Sequence, residues 1–79
     1  MKKLHELLKG DLGTVNKIRG KADIHRHLLK LGITVGRIVQ VLNIDTRPEG
    51  ELVRVSVDGR AYPLNRTVAS CIYMEMKDR

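Results

Sequence analysis

The pair Asp58-Gly59 constrains the fold of this chain more than any other feature. A two-residue turn between antiparallel strands needs positive φ at both central positions, and Asp-Gly is among the few pairs that tolerate it. Ahead of the turn Val53, Val55 and Val57 alternate with Arg54, Ser56 and Asp58, the pattern of a strand with one buried face. The turn then sets the register: Val57 opposite Arg60, Val55 opposite Tyr62, Val53 opposite Leu64. Tyr62 and Leu64 thereby join the valine face. Pro63 falls opposite Arg54 at a non-hydrogen-bonded site, so its missing donor points away from the partner strand and that side is expected to be a sheet edge or a bulge.

The remaining segments fit around this hairpin. Leu4 to Leu8 is short and apolar and ends in the turn signal Lys9-Gly10-Asp11, after which Leu12 to Ile18 reads as a first strand. Asp23 is placed to cap a helix of about ten residues whose apolar positions Ile24, Leu28, Leu29 and Leu31 share one face. Gly32 is its stop, since the residue past a helix end often needs positive φ. A Thr34-Val35-Gly36 turn leads into a β-branched strand from Arg37 to Ile44, and Arg47 to Gly50 reads as a loop. Asn65 can cap one helical turn, Arg66 to Ser70, before Ile72 to Met76 resumes strand character and Lys77-Asp78-Arg79 ends the chain. The expected core is Val15, Ile24, Leu28, Leu31, Val53, Val55 and Val57. About five short strands with one inserted helix and a closing helical turn imply a mainly β domain over residues 1–79, a small, partly open antiparallel barrel, because a flat sheet of this size cannot cover its apolar face.

With 79 residues, a chain this short leaves roughly 40% of its unfolded surface exposed, too little core to surround a deep catalytic cleft. The absence of Phe and Trp leaves only Tyr62 and Tyr73 as stacking platforms, a poor basis for specific nucleic-acid binding despite a net charge of +6. The lone Cys71 gives no sign of an oxidising compartment. Met1-Lys2-Lys3 has the look of a signal-peptide start, but Glu6 and Lys9 interrupt the apolar stretch that would come next, so the expected location is cytoplasmic, with no membrane insertion.

In order and spacing, Gly10-Asp11, Gly13-x-Val15, Ile18, then Leu28-x-x-Leu31-Gly32-Ile33-x-x-Gly36 before a β-branched strand resemble the FeoA family. The same module forms the C-terminal domain of diphtheria-toxin-repressor-type iron regulators. The closing segment, with Ala69 three residues before Ile72 and five before Met74, is similar as well. One departure is Val35, where the family commonly carries proline; proline preorganises a turn but supplies no chemistry. The resemblance implies an SH3-like barrel that supports the ferrous-iron transporter FeoB from the cytoplasm, with any membrane association made through that transporter, without catalysis and without a cofactor.

Metal binding is the natural hypothesis for an iron-uptake protein, and the residues argue against a site within one chain. His25 and His27 lie two apart on a helix and diverge by about 200°, whereas helical chelation wants i, i+4. His5 has no partner by spacing, and a lone cysteine such as Cys71 reads as a small buried hydrophobe. Met74 and Met76 share a strand face, but thioethers favour monovalent copper, and strand methionines commonly fill core gaps. No nucleophile sits beside a base, and no Walker-type glycine loop is present.

The basic residues Lys17, Arg19, Lys21, Arg26 and Lys30, with His25 and His27, crowd one region in which Asp23 is the sole acid. A docking face and an ordinary solvated helix face both account for them. Under the family resemblance, Arg26, Lys30, Ile33 and Arg37 are the expected contacts with the transporter. Two alternatives stand beside it. An RNA-binding barrel of the KOW type fits Lys9-Gly10-Asp11 and the charge, but would run from its first strand through a short turn to a second, where this chain inserts Asp23 to Leu31. A free-standing iron-regulator domain is disfavoured by Met1 and the absence of a preceding helix-turn-helix.

Overall fold

A computed structural model describes residues 1–76 of the chain. The elements run in the order β1 (Lys2–Lys3), a 3₁₀ turn (Leu4–Glu6), β2 (Leu12–Ile18), α1 (Ala22–Lys30), β3 (Ile38–Arg47), β4 (Gly50–Val57), β5 (Arg60–Asn65), α2 (Arg66–Ala69) and β6 (Ile72–Met76). All six strands join one antiparallel sheet in the order β1-β6-β2-β3-β4-β5. The sheet is not closed, and β1 and β5 are its edges. The expected fold class holds, with one strand more than the sequence suggested: Lys2–Lys3 pairs with Met74 and Tyr73 of β6. Lys77-Asp78-Arg79 lies outside the described residues.

The β4–β5 hairpin has the register its turn demands, with Val57, Val55, Val53 and Arg54 opposite Arg60, Tyr62, Leu64 and Pro63. Asp58 (φ 52°) and Gly59 (φ 79°) both adopt positive φ. Pro63 sits on an edge strand, where its absent N–H leaves no ladder bond unmade. The Arg47-to-Gly50 loop is shorter than expected: β3 continues to Arg47 and pairs there with Gly50, so this too is a tight hairpin.

Two β-bulges keep the alternation aimed inward. The register of β3 shifts between Val41 and Asn43, which lets Val39, Val41 and then Ile44 face the core. The register of β2 shifts between Val15 and Lys17, which turns Val15 and Ile18 inward and Lys17 outward. An extra residue moves every later side chain to the other face, so each bulge corrects the phase of its strand.

One apolar cluster fills the interior. Of the expected core, Val15, Leu28, Val53, Val55 and Val57 are buried, while Ile24 and Leu31 are half-buried and packed against the cluster. Leu4 and Leu7 join it from the 3₁₀ turn, Val68 and Ala69 from α2, and Ile72 and Met74 from β6. The Asn65 side chain accepts a hydrogen bond from the Val68 N–H at 2.8 Å and starts α2. Lys21, not Asp23, occupies the N-cap of α1. Asp23 sits in the first turn, where a carboxylate favourably faces the unpaired N–H groups. Cys71 is half-exposed, its thiol donating to the Thr67 carbonyl at 3.4 Å.

Candidate docking surface

The α1 helix presents Arg26 and Lys30 to solvent from an element whose opposite side is anchored by Leu28, fully buried. Leu29, which the sequence pattern assigned to the apolar stripe, is 65% exposed. It stands between Leu28 and Lys30 on the outer side of the helix. Neither Arg26 nor Lys30 forms an ion pair among the described residues.

Ile33 does not belong to this surface: it is fully buried. The cause lies in how α1 ends. Gly32 takes φ 80°; its N–H donates to the Leu29 carbonyl at 3.0 Å, and the Ile33 N–H donates to the Leu28 carbonyl at 2.9 Å. These are the paired bonds of a Schellman termination, which reverses the chain so that the residue after the glycine packs on the last helical turn. The signal was legible, since an apolar residue immediately after a stop glycine is the one this motif folds inward.

Arg37 is exposed, as expected, but not free. Its guanidinium donates to the Asp58 carboxylate at 2.8 Å and joins the start of β3 to the β4–β5 turn. The two groups are roughly half-exposed, so the pair is screened and adds little stability. Its effect on the surface is to neutralise Asp58. Beside it a shallow hollow of about 370 Å³ lies between the C-terminal end of α1 and this hairpin, with Leu29, Lys30, Val57, Asp58, Arg60 and Tyr62 in its lining. With Asp58 paired, Lys30 and Arg60 leave the hollow net positive. Arg60 and Tyr62 were not expected here; the hairpin register placed them on β5, but only the fold brings β5 beside α1. Val35 (64%) and Ile38 (47%) are exposed on either side of Arg37 along the chain.

Among the described residues no three His, Cys, Asp or Glu side chains come together in a metal-binding arrangement. His25 and His27 are both exposed on α1, and His5 is half-buried with Nδ1 unpartnered. The Glu6 carboxyl is held below its usual range, chiefly by the hydrogen bond it accepts from the Lys3 N–H at 2.8 Å. No described helix is long and apolar enough to cross a membrane.

Comparison with known proteins sets this geometry in context. The family model described as FeoA domain matches residues 2–76. A crystal structure of an iron uptake regulatory protein, FeoA, superposes with a TM-score of 0.78 at 27% identity, covering 92% of each chain. The solution structure of the FeoA protein from Chlorobium tepidum gives a TM-score of 0.82 at 28% identity over 95% of this chain and 70% of that one. The IdeR structure from T. acidophilum, at 22% identity and a TM-score of 0.85, shares the fold; 96% of this chain matches only 34% of that longer one. No curated protein matches.

Proposed function

This chain belongs to the FeoA domain family, which ties it to ferrous iron transport, and on that premise we propose that it is a non-enzymatic accessory that docks on the cytoplasmic part of an FeoB-type transporter. Docking uses the outer side of α1 and the hollow beside it. The observation that carries this reading is the placement of Arg26 and Lys30, free of ion pairs among the described residues, around the exposed Leu29 on a helix whose inner side is fixed in the core. A helix already held in the core adds no backbone ordering to the cost of binding, which leaves only the side chains to be immobilised. The cations speed encounter with an acidic partner, and Leu29 with Tyr62 supplies apolar area at contact. Arg37, engaged with Asp58, shapes the hollow more than it supplies charge.

The KOW-type alternative loses its footing, since α1 fills the interval where such a module would continue strand to strand and the family match spans residues 2–76. The test measures association with the isolated cytoplasmic part of the transporter, and ferrous-iron uptake in cells, for the wild type and for the double variant R26E/K30E. The variant is expected to retain its circular dichroism and melting temperature, to associate at least tenfold more slowly, and to lose much of its salt dependence. Unimpaired uptake in a strain lacking the protein would overturn the transport role.

A further inference from the structure

A second basic surface lies on the opposite end of the sheet from the valine hairpin. β6 is sandwiched between β1 and β2, and the register sets Lys3 of β1 and Lys17 of β2 on either side of Tyr73. The Lys3 ammonium and the Arg19 guanidinium each stand 5.7 Å from the centre of the Tyr73 ring. Lys17 points outward because the bulge after Val15 shifts the phase of β2. None of the three cations forms an ion pair among the described residues. The nearest acid along β6, Glu75, contacts Asn16 at 3.4 Å.

We propose that this face, Lys3, Lys17 and Arg19 arrayed around Tyr73, seats the protein peripherally on an anionic lipid bilayer. Three cations outnumber the two nearby acids, Glu75 and Glu6, whose carboxylate accepts from the Lys3 N–H at 2.8 Å, so the face stays net positive and is suited to an external anion. Lys3 and Lys17 flank β6 from both sides, so the charge is spread across an open sheet face. A bilayer surface, with its laterally averaged negative charge, demands no recess. Both ring contacts are already cationic, which leaves the tyrosine poorly placed to stack a nucleic-acid base. Tyr and Lys are side chains that place an apolar body against lipid and a polar tip in the headgroups. Met1, 76% exposed and adjacent in sequence to Lys2–Lys3, adds an apolar group at the same edge. Each cation near an anionic leaflet strengthens binding about fivefold, so three produce a reversible attachment.

The test needs no transporter and therefore stands apart from the docking reading. Binding of the whole chain is measured by co-sedimentation with phosphatidylcholine vesicles containing about a third phosphatidylglycerol, at roughly 100 mM salt. Two triple variants are compared, K3Q/K17Q/R19Q and R26Q/K30Q/R60Q, each removing three positive charges from a net +6. The first is expected to bind at least tenfold more weakly and the second within threefold of wild type. In a Tyr62→Phe background Tyr73 fluorescence should become shielded from iodide on vesicle addition. Equal loss in both triple variants would overturn the proposal in favour of net charge alone. So would undiminished binding of the first, equal binding to pure phosphatidylcholine, or displacement of the vesicles by single-stranded RNA acting through the same three residues. Should the first triple variant fail to fold, the Tyr73 quenching result decides.

Discussion

Individual residues in this protein are constrained for different physical reasons, and two glycines show the contrast. Gly13 has an ordinary backbone conformation, yet a Cβ there would lie 2.9 Å from the Glu75 carbonyl oxygen, where β2 pairs with the end of β6. Its neighbour is backbone and cannot rotate away. Gly13→Ala should therefore cost about 1–3 kcal/mol, the range for overpacking, seen as a lowered denaturation midpoint with an unchanged slope. Gly32 has nothing within 4 Å of the corresponding position and is constrained only by its φ of 80°. Space is free there and torsion is not.

At the scale of the element, Gly32 sets where α1 stops and which way the chain then turns. Gly32→Ala should destabilise by about 1–2 kcal/mol through the left-handed backbone alone, and Gly32→Asn by less, since asparagine tolerates that region. A thermal melt of the two variants checks the ranking; equal loss would point to a packing cause that the geometry lacks. Elements whose conformation is written locally were legible in the sequence: the Asp58-Gly59 turn and its whole register, the Asn65-capped turn, and the span of β2. What escaped were features decided by distant partners. Lys2–Lys3 is a strand only because β6 lies alongside it. Ile33 was a different kind of miss, a local one: the stop glycine before it already signalled the reversal that takes it into the core. Of the proposed surface, the sequence placed Arg26 and Lys30 on the exposed helix, but the Arg37–Asp58 pair and the approach of Arg60 and Tyr62 to α1 depend on how helix and hairpin come together.

For the molecule as a whole, the edges of the sheet decide whether it stays alone. β5 carries Pro63 with its missing N–H on the open side, and β1 is two residues long; a proline and an extremely short strand are both poor templates for pairing with another chain. Deleting residues 1–3 would strip β1 from β6 and expose the outer edge of a five-residue strand, Ile72–Met76. That variant should self-associate in a concentration-dependent way by sedimentation or gel filtration, with Tyr73 at the new contact. A strictly monomeric deletion variant would show that β1 shields nothing.

The position of β6 also has a meaning in time. β6 pairs with β1 and β2, the first two described strands, so during synthesis β2 can be laid against β3 but the β1–β6–β2 side of the sheet waits for residues 72–76. Vectorial folding, in which early segments settle as they leave the ribosome, is open to only part of this protein: the valine hairpin can close and β2 can join β3 on the way out, but the turn carrying Leu4 and Leu7 lacks the cover of β6 until that strand has emerged. A nascent chain of this kind depends on brevity, because with so few residues between its first strand and its last, the interval during which it is open to proteases and chaperones is short.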